Sequence, residues 1–278
     1  MNTTDTAAGL TRRQIFEAKA RRRGTLIAGG STLGVLLALI LLVPLAPGWE
    51  GVKNSFFNWE VAAKTFPKLV TAFLMDVAIF AWCAPLIAIW GLVIALCRDA
   101  RAPALYPLRL FGILYTDIFR GIPVILIIYL IGFGIPGLGL QRPWNSPYIW
   151  GSLALILTYS AYVAEIFRSG IESIHQSQRA AALSLGLSPA DTMRYVVLPQ
   201  AIRRVVPANM NMFIALQKDV ALLSFIGPVE ILRQAGVFKS LLANFTPYVV
   251  AAAIFLAITI PATRYADYLI SKQNKARS

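Results

Sequence analysis

The sequence predicts an all-α integral membrane protein, a polytopic bundle of about six transmembrane helices. Two observations carry this: apolar runs near 20 residues recur along the chain, and basic residues gather in alternate connectors between them. Composition agrees. Of 278 residues 57% are apolar and only 14% charged, and mean hydropathy is +0.64, whereas a soluble domain carries roughly a quarter charged residues.

A helix crossing the hydrocarbon core needs about 20 mostly apolar residues. The runs 26–45, 69–96, 121–140, 147–164, an interrupted one around 205–229, and 241–263 meet or approach this. The first run lacks a small-residue cleavage site close behind it, so it reads as a retained span, not a removable leader. Of the 26 Lys and Arg residues, 19 lie in the first 24 positions, in 98–120, in 165–204 and after 263. Basic connectors stay in the cytoplasm, which puts both termini and the 165–204 loop there. The formal charge of +13 then reflects topology and attraction to anionic lipid. Nucleic-acid binding would need aromatics interleaved with the bases on a soluble face, and there is none.

The chain divides into a basic N-terminal segment (1–24), a first helix with its external loop (25–65), a transmembrane domain (66–270) and a basic tail (271–278). Cys83 and Cys97 lie fourteen residues apart in one apolar run, about 21 Å along a helix, too far to pair. His175 has no ligand cluster around it, so no metal site is expected.

Polar groups inside the runs are the candidates for function. Asp76 is near the outer end of the second run; snorkelling or a nearby base is favoured over a ligand role, although an ionisable group at depth is a functional candidate. The third run is rich in glycine and proline, including Gly121 and Pro123, which suits either a pathway or close helix packing. The fifth holds Asn209, Asn211, Gln217, Lys218 and Asp219 within eleven residues. These face water or other helices, as a substrate-pathway lining or as a structural polar network. Lys218 and Asp219 point about 100° apart on a helix, so one of them pairs elsewhere.

The 165–204 loop is too organised for a linker. Glu165, Arg168 and Glu172 continue a helix out of the fourth run. A second helix over 176–185 stops at Gly186, the usual left-handed terminator. Ser188, Pro189 and Asp191 then signal a new start, and the short helix they open is expected to end before Pro199. Its expected exposed residues, Met193 and Tyr195, suit a plug for a groove on another protein or a segment lying on headgroups.

The Ala-Ala-x-x-x-Gly-x9-Val-x-Leu-Pro pattern of Ala181, Ala182, Gly186, Val196, Leu198 and Pro199 resembles the cytoplasmic "EAA loop" of binding-protein-dependent ABC importer permeases. Three further motifs are similar to the polar amino acid branch of that family. They are Asp117 to Pro123, Ala161 to Gly170 with Glu165 and Arg168, and Leu198 to Ala201 followed by Leu216 to Gly227. The resemblance spans about residues 65–270. It implies a type I ABC importer permease fold with a cytoplasmic coupling helix in a prokaryotic cell (inner) membrane. The coupling loop would comprise Arg179, Ala181, Ala182, Gly186, Ser188, Asp191, Met193, Arg194, Tyr195, Leu198 and Pro199. Arg120, Gly121, Pro123, Glu165 and Arg168 would be structural motif residues, and Asn209, Asn211, Gln217, Lys218, Asp219 and Asp76 would line the pathway.

Implied partners are ABC ATPase subunits, a second permease chain (identical or homologous), an extracytoplasmic substrate-binding protein, an amino acid and membrane lipid. No catalytic residue is expected: the chain has no Gly-Lys phosphate cradle, so ATP and Mg belong to the partner ATPase and no cofactor is bound directly. Ala180 replaces the loop's usual acidic residue, leaving coupling to helix packing and to neighbours such as Arg179. Ile122 and Val220 stand where the motifs carry threonine. The first helix is an addition to the five-span core of that branch. The competing reading is a passive channel or secondary transporter for small polar solutes.

Overall fold

The computed structural model describes residues 12–100 and 102–275, with side chains for 23–100 and 102–272. Several bases counted above (Arg12, Arg13, Lys19, Arg21, Arg22, Arg101, Lys275 and Arg277) thus have side chains outside the described residues. The described residues contain no strand. The chain forms two units, Met1–Phe57 and Asn58–Ser278. In the first, α1 (Arg12–Leu42) is followed by α2 (Trp49–Phe56). Within Arg23–Leu45 an 18-residue window reaches a mean hydropathy of 2.5. Their large apolar side chains are exposed all round the helix, as suits a lipid-facing span.

The second unit is built on α3 (Trp59–Asp99) and α6 (Pro147–Glu172). Asn58 caps α3, its side chain accepting from Val61 N at 3.1 Å. Cys83, Ile87 and Ile94 of α3 pack with Ala154, Leu155 and Val163 of α6 in the main core. Small residues let these helices approach. A Cβ on Gly91 would lie 2.6 Å from Val163 Cγ1, and one on Gly170 2.3 Å from Val205 Cγ1 and 3.2 Å from the Ala201 carbonyl of α9 (Leu198–Asp219). Gly170→Ala is expected to destabilise by about 1–3 kcal/mol through overpacking, seen as a lower apparent Tm. An unchanged Tm would mean that α6 and α9 do not meet at this point.

Among the described residues four helices are long and apolar enough to cross a membrane, and two bent pairs bring the spans to six if each pair is one crossing. The expected third run, 121–140, is not one helix. It holds α5 (Val124–Gly134) and a 3-10 turn (Pro136–Leu138), and with the preceding α4 (Tyr106–Gly121) this forms a pair bent by 103°. Ile122 is extended (φ −102°, ψ 133°) because Pro123 disfavours helical geometry in the residue before it. Most of the 98–120 connector is thus helical, as α4. The helix through Ile226 and α10 (Ile231–Leu242) form the second pair, bent by 51°. The last span, α11 (Thr246–Lys275), begins five residues later than the apolar run suggests, after Ala243 turns the chain in a left-handed conformation (φ +46°).

Pro199 does not end a helix. A single turn, α8 (Pro189–Asp191), passes into a π-helical turn over Thr192–Val197 and then directly into α9. Both flanking residues, Asp191 and Leu198, keep right-handed helical dihedrals. Proline is costly in a helix interior because it lacks N–H and its ring meets the carbonyl four residues back. The wider π turn just ahead changes that pairing and leaves Pro199 in the first turn of α9.

Candidate functional site

The loop forms as its capping residues dictate. His175 caps α7 (Gln176–Ser184), its Nδ1 accepting from Ser177 N at 3.2 Å. At the other end Leu187 N bonds to the Ala182 carbonyl (3.2 Å) and Gly186 N to that of Leu183 (3.0 Å), a Schellman pair closed by Gly186 at φ +83°. Ser188 caps α8, its Oγ accepting from Asp191 N (3.1 Å) and donating to Asp191 Oδ2 (2.6 Å).

This hairpin presents Leu185 (83% exposed) and Tyr195 (62%) outward, with the Arg194 guanidinium 5.4 Å from the centre of the Tyr195 ring. Ala181, Pro199 and the backbone at Gly186 are exposed too, whereas Ala182 is buried and Leu198 half-buried. Met193, expected at the surface, is half-buried against Ile171, Ile174, Val197 and Ala201, because the π turn rotates it inward. Arg179 also turns inward. Its Nη2 donates to the Ile171 carbonyl at 3.1 Å and its Nη1 lies 3.7 Å from Asp99 Oδ2, so it ties α7 to the end of α3. Between these elements lies a groove of about 1110 Å³, lined by Leu96, Asp99, Ile174, Arg179, Pro189 and Met193 among others.

Glu165 is the hub of an ionic cluster at the ends of three helices. It accepts from Arg98 of α3, from Arg120 of α4 at 2.9 Å, and from Arg168 Nε at 2.8 Å. Arg168 also pairs with Glu172, Arg98 donates to Thr116 Oγ1 at 2.8 Å, and the Arg120 guanidinium sits 5.9 Å from the Tyr162 ring centre. Gly121 and Pro123 mark the α4–α5 bend beside it.

The polar face of α9 splits. Asp219 Oδ2 accepts from Tyr159 OH at 2.7 Å, so it is the member of the Lys218–Asp219 pair tied to another helix. Asn211 and Lys218 are exposed. Asn209 Oδ1 and Gln217 Nε2 are buried atoms with no partner among the described residues.

Asp76 is not with them. It is fully buried, with Ile231 N 3.4 Å from Oδ2. It therefore does not snorkel, and no base pairs with it among the described residues. The sequence reading also missed Arg98, Asp99, Tyr159 and Glu230. Of these only Glu230 carries a local signal: an acidic residue two positions after Gly227-Pro228 and just ahead of a helix, where it caps α10 through Leu232 N and Arg233 N.

Comparison with known proteins bears on this arrangement. Residues 61–275 match the family described as "Binding-protein-dependent transport system inner membrane component". The "Probable amino-acid permease protein YxeN" of Bacillus subtilis (strain 168) is 33% identical over 206 residues, covering 73% of this chain and 90% of that protein. The "Probable glutamine ABC transporter permease protein GlnM" of the same organism is 33% identical over 177 residues, covering 63% and 81%. Among solved structures, the crystal structure of an amino acid ABC transporter with histidines superposes with TM-score 0.68 at 32% identity, covering 76% of this chain and 96% of that one. A match over residues 61–275 takes in the bundle, the capped loop and the polar face of α9 together, and the chain accordingly belongs to the family of binding-protein-dependent transport system inner membrane components.

Proposed function

We propose that this permease subunit, paired with a second permease chain, forms the membrane pathway for an amino acid delivered by an extracytoplasmic binding protein. ATPase subunits, which hold the ATP and Mg, seat on the 165–204 loop and supply the work. The observation that carries this is the capped hairpin around Gly186. Its turn is fixed by backbone hydrogen bonds while Leu185, Arg194 and Tyr195 stand free on its surface, the arrangement of a rigid docking knob. Because Arg179 is engaged with Asp99, the missing acidic residue at Ala180 leaves coupling to these apolar and aromatic contacts. The excess of bases in the loop and termini supports a cytoplasmic location for them.

Within the membrane, the unpaired Asn209 and Gln217 atoms and the exposed Asn211 and Lys218 offer polar groups to the substrate carboxylate. The related amino-acid permeases support the substrate class. Among the described residues no group of three or more carboxylate, His or Cys side chains gathers to hold a basic side chain, so neutral or acidic amino acids are proposed.

The test is affinity purification of the tagged chain from its native membrane, followed by binding assays on the companion binding protein with a panel of amino acids. An ATPase that co-purifies, with selective amino acid binding, is the expected result. A chain that purifies without any nucleotide-hydrolysing subunit, or a binding protein blind to every amino acid, would sink the reading.

A further inference from the structure

Outside the loop and the polar face of α9, the structure buries two acids where α3 meets the start of α10. Asp76 in the middle of α3 and Glu230 at the start of α10 are both 0% exposed. α3, α10 and α11 pack together here through Leu69, Ala72, Phe73, Ile231, Ala235 and Ala251. Glu230 is well provided for: its two carboxylate oxygens accept from Leu232 N (2.8 Å) and Arg233 N (2.7 Å), and the helix N-terminus favours its negative charge. Asp76 is not. Its Oδ2 has one long contact, 3.4 Å from Ile231 N, and its Oδ1 has no partner among the described residues.

The other ionisable or charged groups near the pair are few. From α10, Glu230 immediately precedes Ile231, whose N lies 3.4 Å from Asp76 Oδ2, and Arg233, whose backbone N bonds to Glu230, sends its guanidinium to the Ser224 carbonyl. From α11, Tyr248 packs on the apolar cluster, and from α6 the Tyr148 hydroxyl accepts from Val229 N. None of these supplies a donor to Asp76 Oδ1. Two ionised carboxylates facing one another in an apolar interior, one with a bare oxygen, are far more costly than one carboxylate and one acid.

We propose that Asp76 and Glu230 form a proton-binding site, in which Asp76 carries the proton and donates it to the carboxylate of Glu230. The proton removes the like-charge repulsion and fills the hydrogen-bonding capacity left open on Asp76. Its position gives it a task. Glu230 ends the break between the helix through Ile226 and α10, where the discontinuous span bends by 51°, so the shared proton pins that break to α3. Removing it sets two like charges at the bend and loosens α10. The site stands on this geometry whether or not the proposed substrate and partners are right.

Linkage fixes the sign. The unfolded carboxyls are ionised above their ordinary range, near pH 4, while the native pair retains a proton. Native protein thus binds more protons than unfolded, and stability falls as pH rises until the pair releases its proton.

The experiment uses the full-length chain, with any subunits that co-purify, in lipid nanodiscs. Wild type is expected to show an infrared carbonyl band of a protonated carboxylic acid at neutral pH, shifting in heavy water and absent from both Asp76→Asn and Glu230→Gln. Between mildly acidic and mildly alkaline pH, the apparent Tm of wild type is expected to fall by about 4–8 °C more than that of Asp76→Asn. No such band in wild type, a band retained in both amide variants, or parallel Tm curves would each overturn the proposal. Failure of Asp76→Asn to fold would also count against it, because asparagine mimics the neutral acid.

Discussion

Gly186→Val is expected to cut transport at least about tenfold while the protein still inserts and accumulates in the membrane. Gly186 sits at φ +83° and nothing lies within 4 Å of the position a Cβ would take, so the penalty is one of backbone conformation alone. An L-residue in the left-handed region costs about 1–2 kcal/mol, and a β-branched residue more. Valine would therefore unwind the turn, release the bonds of Gly186 N and Leu187 N to the end of α7, and re-aim Leu185 against Tyr195. The loss of a factor of ten corresponds to about 1.4 kcal/mol of misplaced docking geometry. Gly186→Asn is the control, since asparagine tolerates this region, and it should retain most of the activity. Uptake and membrane abundance, measured on the same cells, check the pair of variants. Wild-type uptake by Gly186→Val would mean that the hairpin does not carry force.

The second large effect is expected at Glu165. Glu165→Gln keeps the shape and removes the charge that three guanidinium groups share, leaving Arg98, Arg120 and Arg168 to repel one another at the junction of α3, α4 and α6. Breaking a fully buried pair costs about 3–5 kcal/mol. Here Glu165 is 18% exposed and Arg120 41%, and the discount for solvent brings the expectation to about 2 kcal/mol. The apparent Tm should fall by about 4–8 °C. Glu172→Gln provides the contrast: Glu172 is 58% exposed and pairs only with Arg168 among the described residues, so its loss should shift Tm by less than about 2 °C. Equal shifts for the two variants would show that the cluster is not centred on Glu165.

Local chemistry made much of this protein legible. Hydrophobic run length marked the spans, and Gly186, Ser188 and Asp191 marked the ends of the loop helices, because capping is settled by residues within a few positions. The ordered motifs resembled the permease family, and the family match decides against the passive channel or secondary transporter. Local rules failed where a neighbour in the chain was not the deciding neighbour in space. Pro199 reads as a helix terminator, yet the π turn over Thr192–Val197 carries the helix through it. Met193 reads as exposed and Arg179 as available to a partner, but one packs on the cluster of Ile171 and Val197, and the other bonds to the Ile171 carbonyl and forms an ion pair with Asp99.

What the sequence by itself determined is membership of the membrane, the approximate number of spans, and the hairpin's capped outline. All three follow from forces that act within a helix or across one turn: transfer of apolar residues into lipid and satisfaction of helix-end hydrogen bonds. Only the tertiary structure decided which polar groups meet. Asp76 finds Ile231 N 155 residues later, Arg98 finds Glu165 after 67, and Tyr159 finds Asp219 after 60. The physical reason is that a buried polar group is governed by the cost of leaving it unpaired, and its partner is set by how helices pack, which no spacing within one helix encodes.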